Sequence, residues 1–241
     1  MIIDVGTRVK AGIRVFYDVA SGNAVSKYSS SMPTDGYPMI LQKSGDIHYR
    51  DFSDYNGAKY FDITHRGMKC PYVAFKNTPF LAQVPMGTPG NAWVRVYAKK
   101  DEWFDGKYYM FDIATPSASN CGMQIFEPET GRLIIDSSWT NMVPVWNLTG
   151  RTKTADQYNL KDTDKSSGWY FDGSEAVGCI CNEISEVNGI THITGVKMSG
   201  DAVLVSRIST GVEAISRVNS FVGLQYLGVR TKNLPDYYEA W

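Results

Sequence analysis

The sequence predicts an all-β protein, an antiparallel sandwich built from hairpins and meanders. Fifteen tyrosines, ten phenylalanines and six tryptophans stand beside 22 glycines, a mixture that suits strands joined by tight turns. Short segments alternate apolar and polar residues, the period of a strand with one buried face. Apolar residues make up 43% of the 241 positions and charged residues 20%, so the chain can bury a core and is not disordered by composition.

The strands are taken in order. Ile13–Tyr17, Trp93–Tyr97, Met123–Phe126 and Leu133–Ile135 each alternate. Between the last two lies Glu127-Pro128-Glu129-Thr130-Gly131, where proline presets φ and glycine closes the loop, the clearest hairpin of the chain. Gly12–Ser30 and Gly122–Ser138 share one pattern: glycine, a strand ending in phenylalanine, a Gly-closed turn, a second strand and paired serines. Two similar hairpins follow, whether by duplication or because hairpins share this grammar. In the last third, strands are expected over 176–184, 191–198, 202–208, 212–218 and 221–229, as a meander broken at Asn188-Gly189, Ser199-Gly200-Asp201 and Thr210-Gly211. The polar run Arg151–Gly168 has no apolar period. The expected organisation is therefore a sandwich-like unit over 1–150, a linker or long loop over 151–170, and a meander with an aromatic tail over 171–241.

Charge and cysteine usage narrow the function. The chain carries 24 Lys plus Arg against 25 Asp plus Glu, which leaves no field to attract nucleic acid or an anionic membrane. No apolar run is long enough to span a bilayer, and Met1–Lys10 has no signal-peptide pattern, so synthesis and release in a cytoplasm are expected. Cys70, Cys121, Cys179 and Cys181 are too few for a disulfide scaffold. Cys179 and Cys181 alternate on one expected strand face rather than forming a zinc loop, so buried free thiols are expected.

No catalytic constellation stands out. His48, His65 and His192 have no paired spacing, and His192 falls within an expected strand as a structural residue, so no metal or cofactor is expected. Nucleophile-elbow, P-loop and dinucleotide motifs are missing. Asp51–Gly57 and Asp162–Gly168 are acidic loops without the glycine and distal glutamate of an EF-hand.

Two aromatic groups remain. Trp103, Tyr108 and Tyr109, with Asp101, Glu102 and Asp105 nearby, form a candidate glycan platform, in which rings stack on pyranose faces and carboxylates bind hydroxyls or hydrolyse a glycoside. The competing reading is an Asp105-Gly106 turn between strands 93–98 and 108–114 with its aromatics in the core. At the end of the chain, Tyr237, Tyr238 and Trp241 are candidate interface anchors. They either cover their own core or insert into a neighbouring subunit.

Tyr108-Tyr109-Met110-Phe111-Asp112, Gly122-Met123-Gln124-Ile125-Phe126 and Gly131–Ser138 together resemble a family of tailed-phage and prophage tail-associated structural proteins. Its pattern reads YY-x-FD, then G-hydrophobic-Q-V-F, then G-x-hydrophobic-x-F-D-S. The likeness covers about 30 residues well and extends loosely over 39–145, and it departs at Ile135 and Cys121. It implies a virion component at the tail tip, baseplate or fibre, assembled in the host cytoplasm. Its implied partners are other tail proteins and further copies of itself, with host-surface contact in addition. It implies no enzymatic activity and supplies no functional residues. The alternative is a carbohydrate-binding module or glycan hydrolase acting on host polysaccharide.

Overall fold

The computed structural model describes residues 39–113, 124–126, 133–136, 138–150, 158–159, 174–181, 184–199, 202–213 and 224–240. The protein is all-β, two antiparallel sheets packed as a sandwich. Apart from one 3-10 turn at Tyr49–Asp51, the described residues contain no helix. The expected Gly12 hairpin, the Glu127–Gly131 turn and most of the polar run at 151–168 lie outside the described residues.

The strands are β1 (Met39–His48), β2 (Ser53–Tyr55), β3 (Ala58–Thr64), β4 (Tyr72–Lys76), β5 (Leu81–Met86), β6 (Trp93–Ala98), β7 (Asp105–Ile113), β8 (Gln124–Phe126), β9 (Leu133–Asp136), β10 (Pro144–Gly150), β11 (Tyr158–Asn159), β12 (Glu175–Cys181), β13 (Ile184–Val187), β14 (Ile190–Ser199), β15 (Ala202–Glu213), β16 (Leu224–Arg230) and β17 (Tyr238–Glu239). The first sheet has the order β10-β16-β12-β4-β7-β1-β17. The second has the order β11-β15-β14-β5-β6-β3-β2, with β13 added to β14. β8 and β9 form their own antiparallel pair, the two strands expected on either side of the Pro128 turn.

Both sheets therefore join strands from before residue 114 to strands from after residue 143. The last third departs from the expected meander, because β12 and β16 enter the first sheet while β14 and β15 enter the second. Gly211 does not break the chain. It adopts φ +69 within β15, and a Cβ there would lie 2.4 Å from the Tyr55 carbonyl oxygen, so glycine lets the strand bend past the β2–β3 turn. Asn188-Gly189 does turn the chain as expected, with φ of 51 and 76.

Alternation decides what faces inward. Ile47, Val73, Phe75 and Met110 of the first sheet meet Leu81, Val94, Val96 and Ala98 of the second between the layers. Farther along, Val177, Cys179 and Tyr226 meet Val196, Val203 and Val205. The opposite face of the first sheet is apolar too, with Leu41, Tyr72, Tyr109, Phe111 and Leu227 buried and Met142 and Leu234 packed on it.

The join between early and late strands is narrow in each sheet. β4 and β12 share one ladder pair, Val177 with Phe75; β5 and β14 share one, Val196 with Leu81. Beyond the first pair, the Gln83 side chain crosses from β5 into the gap. Its Oε1 accepts from the Val73 N–H at 3.2 Å, and its Nε2 donates to the Val73 carbonyl at 2.7 Å and the Cys179 carbonyl at 2.9 Å. Gln83 is 3% exposed, so these bonds form where water does not compensate their loss. A Cβ on Gly178 would lie 2.1 Å from the Val73 oxygen, and one on Gly195 would lie 2.2 Å from the Ile208 side chain. Backbone approach requires glycine at the first join; at the second the nearest atom is a side-chain terminus, with the Leu81 backbone at 3.1 Å.

Gln83→Leu keeps an apolar group of similar size but strands three buried backbone groups. It should lower the unfolding free energy by about 3 kcal/mol or more in urea titration. An unchanged midpoint would mean that the amide does not hold the join.

Candidate functional site

The chain passes from β6 in the second sheet to β7 in the first through residues 99–104. Asp101 takes a left-handed φ of 65 there, and its N–H donates to the Tyr49 hydroxyl at 2.8 Å. The Tyr49 N–H donates to the Phe104 carbonyl at 3.1 Å. Phe104 turns inward and packs edge-on against Phe52, with ring centroids 5.6 Å apart. Its neighbour Trp103 turns outward and is 76% exposed, with its ring 4.7 Å from that of Tyr49 and tilted by 55°.

Trp103 stands on an open cleft of about 400 Å³ lined also by Tyr49, Arg50, Asp54, Lys59, Lys100 and Asp101. The Lys59 Nζ lies 2.8 Å from the Asp54 carboxylate and 5.1 Å from the Tyr49 ring centroid. The hydrogen bond it donates to Asp54 holds the Lys59 ammonium above its ordinary pKa. The turn at Asn56-Gly57, with φ of 46 and 81, closes the β2–β3 hairpin that brings Asp54 and Lys59 together. The acidic stretch Asp51–Gly57 is thus a hairpin, and the Asp51 carboxylate accepts from the His48 N–H at 3.3 Å.

Of the three residues expected to form a glycan platform, the structure places only Trp103 at the cleft. Tyr108 and Tyr109 are buried on opposite faces of β7, Tyr108 between the sheets and Tyr109 beside Tyr72 and Phe111. Burial pushes the Tyr108 hydroxyl up to about 12. Asp105 and Gly106 open β7 rather than forming a turn, because β6 and β7 belong to different sheets and need a longer crossing. Asp105 lies 2.5 Å from His48 Nδ1, and of the three nearby carboxylates only Asp101 lines the cleft. Tyr49, Asp54 and Lys59, some 50 residues from Trp103 in sequence, carried no motif. Only the sheet crossing reveals them.

Asp112 and Asp136 have structural work. Asp112 is 3% exposed and accepts from the N–H groups of Lys69 and Cys70 at 2.6 Å and of Ile113 at 2.8 Å. Asp136, fully buried, accepts from the Ser138 N–H and hydroxyl, an Asx turn. Cys70 sits beside Asp112, and burial pushes its thiol up to about 11, away from thiolate chemistry. Cys179 is buried in the core. A bulge between Cys179 and Cys181 interrupts the alternation on which their shared face was expected, and Cys121 lies outside the described residues. His192 Nδ1 lies 3.0 Å from the Ile190 carbonyl, a local contact within β14. Among the described residues no three His, Cys, Asp or Glu side chains gather as a metal site.

The carboxy-terminal segment lies along the edge of β1. Glu239 and Tyr238 pair with Lys43 and Ser44, the Ala240 N–H donates to the Gln42 carbonyl at 2.8 Å, and the Ser44 hydroxyl donates to the Pro235 carbonyl at 2.7 Å. The Tyr237 hydroxyl donates to Asp46, whose carboxylate also meets Lys107 at 3.1 Å. Lys107 in turn lies 5.0 Å from the Tyr237 ring centroid and 3.4 Å from Asp236. Glu239 meets Lys43 at 3.1 Å and His65 at 3.7 Å. Tyr237 is 68% exposed and Tyr238 39%; Trp241 lies outside the described residues.

Tyr237 and then Lys107 hold the Asp46 carboxyl below its ordinary value, and Lys43 does the same for Glu239. Both carboxyls have folded pKa values below their unfolded ones, so the stabilisation is present at neutral pH and is lost as pH falls below about 4. The exchange of the Ala240 amide, monitored from pH 7 to 3, should gain relative to internal β7 amides in the acid range. Equal protection throughout would contradict the ionic docking. No family model, no curated protein and no solved structure matches this chain.

Proposed function

We propose that the chain is a non-enzymatic structural component of a tailed-phage particle, at the tail tip, baseplate or fibre. It works through interfaces with other tail proteins and with further copies of itself. The observation that carries this reading is the carboxy-terminal segment. It is fixed to β1 by backbone pairing and by Lys43, Asp46 and Lys107, yet it presents Tyr237 and Tyr238 to the outside. Rigid exposed tyrosines lose little side-chain entropy on binding and are enriched where interfaces are strongest. The resemblance across Tyr108–Ser138 supports the viral context.

Two further features agree with a building block. Asp112 and Asp136 are committed to backbone turns, and the Cys70 thiol is held in its neutral form. The edge of β1 is also closed, by Tyr238–Ala240 at one end and at the other by Leu41 and Met142 bonds to the Thr140 and Met39 carbonyls. Closed edges direct assembly to side-chain surfaces and away from open-ended strand addition.

The chain should co-purify with virions of the phage or induced prophage that encodes it. Deleting residues 235–241, or replacing Tyr237 and Tyr238 by alanine, should leave the chain in the unassembled fraction. Full incorporation of both variants would remove the tail as an anchor, and absence of the intact chain from particles would overturn the reading.

A further inference from the structure

We propose that the cleft between Trp103 and the Asp54–Lys59 pair is a saccharide-binding site, taking a pyranose unit of an oligosaccharide on the Trp103 ring. The inference rests on the cleft alone and stands or falls independently of the particle reading. Three observations converge on it.

The aromatic surface is both exposed and fixed. A tryptophan 76% exposed exposes apolar area to water, yet this one is not left to swing. Tyr49 packs 4.7 Å from its ring, the Tyr49 hydroxyl holds the Asp101 N–H, and Phe104, the next residue, packs against the core. A fixed apolar plane open to solvent suits the C–H face of a sugar, which needs stacking area and little reorganisation.

The lining has both signs of charge at close quarters. Asp54 and Asp101 offer acceptors, while Arg50, Lys59 and Lys100 offer donors. Sugar hydroxyls both donate and accept, so neighbouring hydroxyls on one ring can be matched only by such a mixed set. A phosphate group would face two carboxylates, and a cationic ligand three basic side chains. Lys59 is already oriented by Asp54 at 2.8 Å, so its position does not have to be fixed on binding.

The volume, about 400 Å³, falls within the roughly 300–1,000 Å³ of small-ligand sites. The open mouth at the end of the sandwich lets a longer chain continue past the bound ring.

The test titrates the full chain with a panel of neutral hexose, amino-sugar and uronate oligosaccharides, following tryptophan fluorescence. At least one class should bind saturably and alter the emission. Trp103→Ala should weaken that binding about tenfold or more, and Asp54→Ala should weaken it as well. Trp103→Phe should retain part of the affinity, and the melting temperature of the Trp103 variants should stay that of the parent because the side chain lies outside the core. Failure of every saccharide to bind at millimolar concentration would overturn the proposal, as would affinity unchanged in Trp103→Ala. Saturable binding of a peptide or nucleotide panel at the cleft, with no saccharide bound, would overturn it equally.

Discussion

The sandwich depends on one buried carboxamide. β4 and β12 meet at a single ladder pair, and where the ladder fails Gln83 from the other sheet supplies the missing hydrogen bonds to Val73 and Cys179. The same side chain thus ties the early strands to the late ones and the first layer to the second. Gly178 allows the approach, since a methyl group there would lie 2.1 Å from the Val73 oxygen. The second sheet makes its join likewise, with Gly195 beside the lone Val196–Leu81 pair. In a dry interior an amide with all its bonds made is strongly specifying, because any shift of register leaves several groups unsatisfied.

The cleft and the docked tail follow from that frame. Because successive strands change sheets, the crossing from β6 to β7 must run over the end of the sandwich, which sends Phe104 into the core and Trp103 outward. Because β1 is the outermost long strand of the first sheet, its free edge requires covering, and the final residues supply backbone partners together with charges of both signs. Cleft and docked tail therefore lie on surfaces created by the ends and edges of the layers.

The β-class, the strands β6 to β9, β12 and β14 to β16 and the Asn188-Gly189 turn were legible in the sequence, because alternation and turn chemistry are local; β1 to β5 and β10 were not read from it. Sheet membership was not. β12 and β14 read as neighbours in a meander, yet a two-residue period is the same whichever sheet a strand joins. Gly211 read as a break because glycine in a turn and glycine in a bulge look alike. For the candidate site, Trp103 was legible as an aromatic beside carboxylates, but Tyr108 and Tyr109, equally aromatic, are both buried because both faces of β7 are covered. Tyr49, Asp54 and Lys59 were invisible because their meeting with Trp103 depends on a crossing between sheets. Gln83, central to the fold, is an ordinary polar residue in its own strand, and only its partner's broken ladder explains it.

If strands from before residue 114 and after residue 143 share two sheets through these joins, the described sandwich must lose its structure in one step. The most direct measurement is equilibrium unfolding of the whole chain in urea, followed by both far-ultraviolet circular dichroism and native-state hydrogen exchange. The account predicts one transition, with the slowest amides of β4, β7, β12 and β16 opening at a common free energy. Two separated transitions, with β12 and β16 exchanging while β4 and β7 stay protected, would contradict it.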